Sequence, residues 1–385
     1  MDAKELPSRP NLEHYEKLAK DLLEPHRSGD AKFSLADARL TIAREHAFES
    51  WPKFKKHIEA VRRKDSLVSK FESAADAVVT GNIAKLKRLL RENPKLIRQR
   101  STRSHQSTLL HYVSANGVED FRQKTPKNAV EVAKILLAAR AEVDAANADY
   151  GGRGTTLGLV ATSSPPDEAG VQVALLETLL EAGASIEGLE GGWNPLTAAL
   201  ANGRKQAAGY LAKRGARLDL EGASGVGRLD IVKSYFRPDG SLKATATKKQ
   251  MKDGFAWACE YGRTKVAEFL LDQGMDINAR LRNHGNTGLH WAAFNGHVDL
   301  VKLLLARKAR LDIKDESFDG PPLGWALHGW NPNDTQGRYY KIVAFLARAG
   351  ATVDPGWLAD PDLPLPAKIR DDPRMLAALR GKIRR

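Results

Sequence analysis

Hydrophobic residues recur at helical spacing along most of the chain, and the clearest example lies in residues 285–312. There, Val301, Leu304 and Leu305 stand at i, i+3 and i+4, the spacing that places side chains on one face of a helix. A shorter apolar run begins after Thr287 and stops at a glycine. The pattern predicts two short helices joined by a turn, the second of which buries one face.

The residue types in this segment follow a known order. Residues 287–309 read T-G-L-H-W-A-A-F-N-G-H-V-D-L-V-K-L-L-L-A-R-K-A, which resembles the ankyrin repeat, T-P-L-H-x-A-A-x-x-G-H-x-x-x-V-x-x-L-L-x-x-G-A. The departures are Gly288 for proline and Lys308 for glycine. The resemblance implies a stack of helix pairs that recognises partners non-covalently, mostly proteins, through an inner groove and loop tips.

The same pattern recurs along the chain. Gly262 precedes Gly296 by 34 residues, and alignment outward from these glycines predicts about eight repeats. They would span Ala74–Arg100, Ser107–Asp144, Thr155–Ala184, Asn194–Asp219, Leu220–Phe236, Lys252–Asn278, Asn286–Asp312 and Pro322–Asp354. We therefore expect an all-α ankyrin-repeat solenoid over residues 65–385, with a short closing helix at Pro373–Leu379. The first helix of the fifth repeat, Leu220–Gly227, carries too much glycine for a good helix.

Residues 1–64 do not fit the repeat. Their apolar spacing predicts three helices, of which Ser34 can cap the second, with Asp37 in the capping-box position, while Trp51 starts the third. The segment resembles a leader found ahead of ankyrin arrays in bacterial proteins. We interpret residues 1–64 as a helical cap for the first repeat, because the terminal repeats of a solenoid need their outer face covered.

Composition narrows the class of protein further. The chain has 385 residues, a formal net charge of +13 and a single cysteine, Cys259, which excludes a disulfide framework and a cysteine-rich zinc site. The N-terminus lacks the apolar core of a secretion signal, and no apolar run approaches the roughly 20 residues of a membrane span. We therefore expect a cytoplasmic protein without membrane association, in which excess positive charge favours acidic partners.

One slot of the repeat stands out. As the resemblance implies, the position after the motif histidine points into the groove, and it holds Trp257, Trp291 and Trp325 in repeats six to eight. We expect these tryptophans to form one stripe facing a hollow of small residues between Ala198 and Gly225. The candidate binding residues are Tyr112, Trp257, Glu260, Trp291, Phe294, Asn295, Trp325 and His328. Exposed aromatic surface usually marks an interaction site; the alternative is that the tryptophans only pack within the protein.

The preferred hypothesis is a protein-interaction scaffold whose partner is a protein or peptide. One alternative is a small molecule or peptide held in the aromatic groove, with modest acid–base chemistry by Glu260 and His328. Another is nucleic acid on the basic run of residues 85–103, which lacks the interleaved aromatics of single-strand binders. Motifs of nucleotide-binding loops, serine hydrolases and zinc proteases are absent. No catalytic residue, cofactor or metal is therefore assigned, and enzymatic activity stays an open question.

Overall fold

The fold consists of α-helices and short 3₁₀ helices. The computed structural model describes residues 3–7, 9–26, 33–115, 117–354 and 368–382, without the side chain of Asn283. Over these residues the β pairing amounts to two isolated bridges, Arg100 with Thr108 and Phe236 with Leu242. The prediction of an all-α fold is confirmed. The proline-rich stretch that follows Asp354 lies outside the described residues.

The chain divides into two compact units, Met1–Ala216 and Arg217–Arg385. The α-helices of unit one are α1 (Leu12–Leu23), α2 (Leu35–Glu45), α3 (Trp51–Arg62), α4 (Leu67–Val79), α5 (Ile83–Glu92), α6 (Ala129–Ala138), α7 (Thr156–Thr162), α8 (Ser164–Glu168), α9 (Gln172–Glu181), α10 (Pro195–Ala201) and α11 (Lys205–Lys213). Its 3₁₀ helices are Glu24–His26, Pro94–Arg98, Leu109–Ser114 and Asp120–Arg122. Unit two contains α12 (Leu220–Val226), α13 (Leu229–Ser234), α14 (Lys248–Glu260), α15 (Thr264–Asp272), α16 (Arg282–Gly285), α17 (Gly288–Phe294), α18 (Val298–Ala306), α19 (Pro322–Gly329), α20 (Arg338–Arg348) and the C-terminal helix Pro373–Leu379.

The first three helices have a small hydrophobic core of their own, in which Tyr15, Phe54 and Ile58 are buried. Helix α2 begins with the expected capping box, because the backbone N–H of Ser34 donates to Asp37 Oδ2 over 2.9 Å and the Asp37 N–H donates back to Ser34 Oγ. Helix α3 packs on α4. The helices predicted for residues 1–64 are therefore present, and their role as a cap stays a prediction.

Within each unit the first helices of successive pairs pack on one another. In unit one this row is α4, the 3₁₀ helix Leu109–Ser114, α7 and α10; in unit two it is α12, α14, α17 and α19. The second helices form another row, in which α15, α18 and α20 pack in order and the C-terminal helix packs on α20. Each second helix buries an apolar face, such as Leu300, Val301 and Leu304 of α18. The first-helix row of unit two therefore positions the residues of the candidate site.

Helix α12 corrects one expectation, because the glycine-rich stretch that begins at Leu220 is helical. Asp219 caps it, with its side chain accepting the Gly222 N–H over 2.7 Å. The helix also packs closely on α14, where a Cβ added to Gly254 would lie 2.7 Å from Ser224 Oγ. The cap and the close packing that small residues allow outweigh the low helix propensity of glycine.

The two departures from the repeat pattern have different structural settings. A Cβ added at Gly288 would lie 2.8 Å from Cys259 Sγ and 3.0 Å from a ring carbon of Phe255, so the packing of α17 on α14 leaves no room for proline there. Lys308, by contrast, adopts a left-handed backbone with a φ of 60°. A side chain at such a φ costs free energy that glycine avoids.

Candidate functional site

An aromatic pocket lies on the first-helix row of unit two. Helix α17 supplies Trp291 and Phe294, helix α19 supplies Trp325 and His328, and the loop between α18 and α19 supplies Phe318. The cavity has a volume of about 480 Å³, and its lining consists of His284, Trp291, Phe294, Phe318, Gly320, Gly324, Trp325 and His328. We call this cavity the aromatic pocket. It contains four of the predicted site residues.

The rings of the aromatic pocket meet edge to face. The Trp325 ring centroid lies 5.5 Å from that of Trp291 and 5.6 Å from that of Phe294, with interplanar angles of 79° and 70°. His328 stacks on Phe294 with centroids 6.1 Å apart. Phe318 lies 6.4 Å from Trp325 and keeps 74% of its surface exposed. The pocket therefore presents aromatic faces at several angles, with one large apolar side chain in solvent.

Asp315 supports the wall of the pocket from behind. Its carboxylate is 3% exposed and accepts the Trp325 indole N–H over 2.9 Å, together with the backbone N–H groups of Ser317, Phe318 and Gly320. Burial alone would raise the pKa of Asp315, but the hydrogen bonds from Trp325 and the backbone outweigh it and lower that pKa. The ionised carboxylate thus fixes both the Trp325 ring and the loop that carries Phe318.

Trp257 does not join the stripe that the sequence predicted. It is 2% exposed, stacks on Tyr261 with centroids 5.8 Å apart, and donates its indole N–H to Glu221 Oε1 over 2.7 Å. The guanidinium carbon of Arg282 lies 3.1 Å from its ring centroid. Arg282 belongs to α16, a short helix in the loop before α17, and covers the ring from the solvent side. The correction has a physical cause: a cation from the next loop occupies the aromatic face.

Glu260 and His328 have separate surroundings. Glu260 is half-buried beside Arg282, whose Nη2 lies 3.7 Å from Glu260 Oε2, and burial raises its pKa to about 7 although Arg282 opposes that rise. His328 is exposed and contacts Phe294. Among the described residues, the contacts of neither side chain include the other. The structure therefore assembles no acid–base pair from these two residues.

Asn295 and Tyr112 lie away from the aromatic pocket. Asn295 ends α17 and its side-chain amide donates to the Trp291 carbonyl oxygen over 3.1 Å, which is a capping contact. Tyr112 is 1% exposed, and its hydroxyl donates to Glu119 Oε1 over 3.1 Å. The placement of Tyr112 in an open groove is therefore wrong, because the insertion after Gly117 folds over it.

That insertion carries a buried network of charges that the sequence did not reveal. Arg122 pairs with Glu72 over 2.9 Å, with Asp76 over 2.6 Å and with Glu119 over 3.1 Å. Arg103 pairs with Glu72 over 2.7 Å and with Glu119 over 3.2 Å. Both arginines and Glu119 are almost fully buried. Residues from α4, the following loop and the insertion thus form one closed network, and Arg103 does not belong to the basic surface predicted for residues 85–103.

The two arginines explain how the carboxylates stay charged in the interior. Burial alone would raise the pKa of Glu72, but Arg103 and Arg122 outweigh it and lower that pKa to about 2. Arg103 likewise outweighs burial at Glu119, whose pKa is lowered further. Each charge has a partner, as burial requires. We interpret the network as structural. Its members are spread in sequence from Glu72 to Arg122, so no single motif predicts it.

Most of the remaining basic residues of the run are exposed, while Lys85 and Arg100 are half-buried. Leu86, Leu89 and Leu90 of α5 are buried, as predicted, while Arg88 and Arg91 are exposed.

The motif histidines are structural, as predicted. His290 Nδ1 accepts the Thr287 N–H over 3.0 Å, His111 does the same for Thr108 over 3.1 Å, and burial lowers the pKa of both histidines to about 4.

A second cavity, of about 570 Å³, lies in unit one against α7 and α10. Leu159, Thr162 and Ala198, three groove positions of the repeat, line it together with Tyr150 and Trp193. Tyr150 is 53% exposed. Ala198, where the predicted hollow of small residues begins, lines this cavity. Sequence analysis missed both aromatic side chains, because they come from loops outside the repeat pattern.

No cluster of histidine, cysteine, aspartate or glutamate among the described residues could hold a metal ion. No helix in that part of the chain combines the length and apolar character needed to cross a bilayer.

Rows of short helices stacked first on first and second on second define a helical repeat protein. Residues 220–315 match the family model for ankyrin repeats (3 copies). Residues 220–315 are therefore ankyrin repeats, as the sequence predicted. The match covers α12 to α18 and the loop with Asp315, which is most of the first-helix row around the aromatic pocket. Ankyrin repeats are a general protein-interaction module.

Similar proteins share the repeats. The chain is 32% identical to E3 ubiquitin-protein ligase hecd-1 of Caenorhabditis elegans over 126 residues, 30% of this chain and 4% of that protein. It is 29% identical to ankyrin repeat and KH domain-containing protein mask-1 of the same organism over 220 residues, 57% of this chain and 6% of that protein. It is 40% identical to inversin of Gallus gallus over 62 residues, 16% of this chain and 6% of that protein. The chain thus spans a small fraction of these animal relatives, and the bacterial resemblance of residues 1–64 stays a prediction.

Proposed function

We propose that the chain is a binding module that docks an exposed segment of a partner protein in the aromatic pocket of unit two. The observation that carries the proposal is Phe318, a large apolar side chain with 74% of its surface in solvent at the rim of a cavity walled by Trp291 and Trp325. Apolar surface of this kind on a folded unit usually marks an interaction site. Tryptophan dominates interface energetics because it buries a large area at low entropic cost.

The pocket is held ready rather than left to form on binding. Asp315 anchors the Trp325 indole and the backbone that carries Phe318. The Trp291 and Phe294 rings sit on α17, whose start is capped by the Thr287–His290 pair. Preorganisation of this kind reduces the entropy lost on association. Its volume of about 480 Å³ is also within the range of small-molecule sites, so a small molecule is the second candidate.

The test compares variants of the pocket with a matched control. Phe318→Ser and Trp325→Ala remove apolar surface from the pocket, while Leu67→Ser removes another exposed apolar side chain, 42% exposed, from unit one. Partners would be captured from cells of the source organism with each form and quantified, and the strongest would be purified for binding measurements. We expect the pocket variants to weaken its affinity by about tenfold or more, and Leu67→Ser to leave it unchanged.

Equal binding by wild type and both pocket variants would remove the pocket from the proposal. Thermal unfolding of the same variants is the control for folding, since a variant that has lost its fold says nothing about contacts. A small molecule that co-purifies with wild type and not with Trp325→Ala would favour the second candidate. The cytoplasmic location, the scaffold role and the division at residue 65 are part of the same proposal.

A further inference from the structure

Two tryptophans in the same slot of the repeat each donate their indole N–H to a carboxylate. Trp257 Nε1 donates to Glu221 Oε1 over 2.7 Å, and Trp325 Nε1 donates to Asp315 Oδ2 over 2.9 Å. They are 68 residues apart, which is twice the 34-residue spacing of the repeat. Trp291, between them, has a buried indole nitrogen without an acceptor among the described residues. Trp257 and Trp325 are therefore chemically matched, and Trp291 differs from both.

The face of the Trp257 ring is covered by a cation from the same chain. The guanidinium of Arg282 lies over Trp257, with its central carbon 3.1 Å from the ring centroid. The negative face of an indole ring attracts a cation. A carboxylate on the indole N–H adds to that attraction, because its negative charge lies at the ring edge within a few ångströms of the bound cation. Glu221 accordingly also lies 4.0 Å from Arg282 Nη1.

The second ring, Trp325, also has a carboxylate on its indole N–H, but it has different neighbours over its face. The ring contacts of Trp325 are with aromatic side chains, including Trp291, Phe294 and Phe318, and no lysine or arginine of the described chain lies over it. The rings of Trp291 and Phe294 stand at 79° and 70° to it. A group that enters this cavity meets aromatic surface from more than one direction, which is the arrangement that holds organic cations.

We propose that the aromatic pocket takes the guanidinium group of an arginine side chain presented by the docked segment. This inference rests on the proposed function above and names the chemistry that the pocket selects. Asp315 supplies the counter-charge through the Trp325 ring, as Glu221 does through Trp257 for Arg282. A guanidinium suits the site better than an ammonium, because it is planar, stacks on aromatic faces and is more weakly hydrated.

Among the described residues, the lining of the aromatic pocket includes no lysine or arginine that would oppose a cation. At the Trp257 ring, by contrast, Glu221 and Glu260 lie 4.0 Å and 3.7 Å from Arg282, so two carboxylates face the guanidinium there. His284 and His328 also line the aromatic pocket, beside the aromatic rings.

The experiment titrates the full chain, labelled with ¹⁵N at its indoles, with three probes of matched length. They are N-acetylarginine amide, N-acetylcitrulline amide, which is a neutral isostere, and N-acetylnorleucine amide, which is apolar. The Trp325 indole signal is assigned by its disappearance in Trp325→Phe. We expect the arginine probe to shift this signal and to bind about tenfold more tightly than the citrulline probe. In Trp325→Leu, which removes the aromatic face, that preference should vanish when binding is followed by the indole signal of Trp291, which also lines the pocket.

The outcomes separate the inference from the function on which it rests. If the norleucine or citrulline probe binds as tightly as the arginine probe, the pocket selects apolar or neutral groups; the inference is then wrong and the docking proposal stands. If no probe moves the Trp325 signal up to about 0.1 M, the limit for a contact of this strength, the inference is wrong. Partner binding that is insensitive to Phe318→Ser would then remove the docking proposal too.

Discussion

Lys308 and Gly274 occupy the same position of two consecutive helix pairs, 34 residues apart, and both have a left-handed backbone. Their φ angles are 60° and 85°. Each residue follows the C-terminus of a second helix, α18 and α15. Glycine is the residue that this conformation favours, because it has no Cβ to clash with the backbone. Lys308 therefore carries a backbone strain that Gly274 avoids.

The pair supplies a first prediction. Lys308→Gly should raise the free energy of unfolding of unit two by about 1 kcal/mol, and Gly274→Lys should lower it by a similar amount. Both free energies can be measured by urea denaturation followed by circular dichroism. The double variant restores one lysine and one glycine and should come close to wild type. A loss of stability in Lys308→Gly would show that the lysine side chain makes contacts that outweigh the strain.

Trp257 and Trp325 should differ in what they contribute to stability. Trp257 is 2% exposed and Trp325 is half-buried at the pocket wall. Trp257→Ala should therefore cost about 3–5 kcal/mol of unfolding free energy, the range for a buried aromatic deletion, and Trp325→Ala clearly less. Urea denaturation of both variants decides this. Equal losses would mean that Trp325 is core, and that its loss from a binding assay cannot be read as a lost contact.

The buried charge network should be sensitive to removal of one charge. Glu119→Gln keeps the shape of the side chain but leaves Arg103 and Arg122 with one carboxylate fewer in the interior. We expect a loss of about 3–5 kcal/mol in the unfolding free energy of unit one. The control in the same unit is Glu49→Gln, which breaks an exposed pair with Lys53 and should have no measurable effect. Similar values for the two variants would contradict the assignment of the network as a structural element.

Unit one should lose stability in acid in two stages. Burial lowers the pKa of His57 and His111 from 6.5 to about 4, and the arginines lower that of Glu72 from 4.5 to about 2. A lowered pKa contributes stability above the unfolded value and loses it as the pH falls through the folded one. Unfolding free energy should thus fall from about pH 6.5 to 4 through the histidines, and further from about pH 4.5 to 2 through Glu72.

In unit two, Glu260 should give the opposite pH dependence of the unfolding free energy. Its pKa is raised to about 7, so its contribution is present below about pH 4.5 and lost as the pH rises through 7. Glu260→Gln should therefore gain stability over wild type only at neutral and alkaline pH. Denaturation at a series of pH values measures both effects. A Glu260 carboxyl signal that titrates in NMR at an ordinary pKa would overturn this part of the prediction.

Deletion of residues 1–64 tests their role as a cap. Phe54 and Ile58 are buried in the core that α1–α3 share, and α3 packs on α4. Removal should expose the apolar side of α4 and lower the melting temperature, with association at high concentration. The measurement is a thermal melt together with light scattering. A truncated chain that melts unchanged and stays monomeric would make residues 1–64 an independent module.

Residues that repeat at a fixed spacing could be placed from sequence alone. The short helices around Val301 and Leu304, the capping box of Ser34 and the backbone contacts of His290 all follow from local rules. Each depends on residues within a few positions of one another. For that reason the fold, and four lining residues of the aromatic pocket, were predictable.

Features that depend on loops were not predictable. The cover of Trp257 comes from Arg282, and the anchor of Trp325 comes from Asp315, both in segments where the repeat pattern sets no residue. The burial of Tyr112 depends on Arg122, which belongs to an insertion. A periodic pattern predicts which position of each repeat faces the groove. Whether a loop residue then covers that position depends on contacts between residues that are distant in sequence.

The insertion that carries Glu119 and Arg122 limits how this chain can be recombined. Repeat proteins are commonly treated as series of interchangeable parts, since each repeat contacts its neighbours alone. Here α4 holds Glu72 and Asp76, and both form ion pairs with Arg122. Arg122 lies in the next repeat, after its first helix. A chimera that replaced that repeat by a regular one would leave the largely buried Glu72 with one of its two arginines removed. For an engineer, the smallest portable part of unit one is therefore α4 together with the insertion.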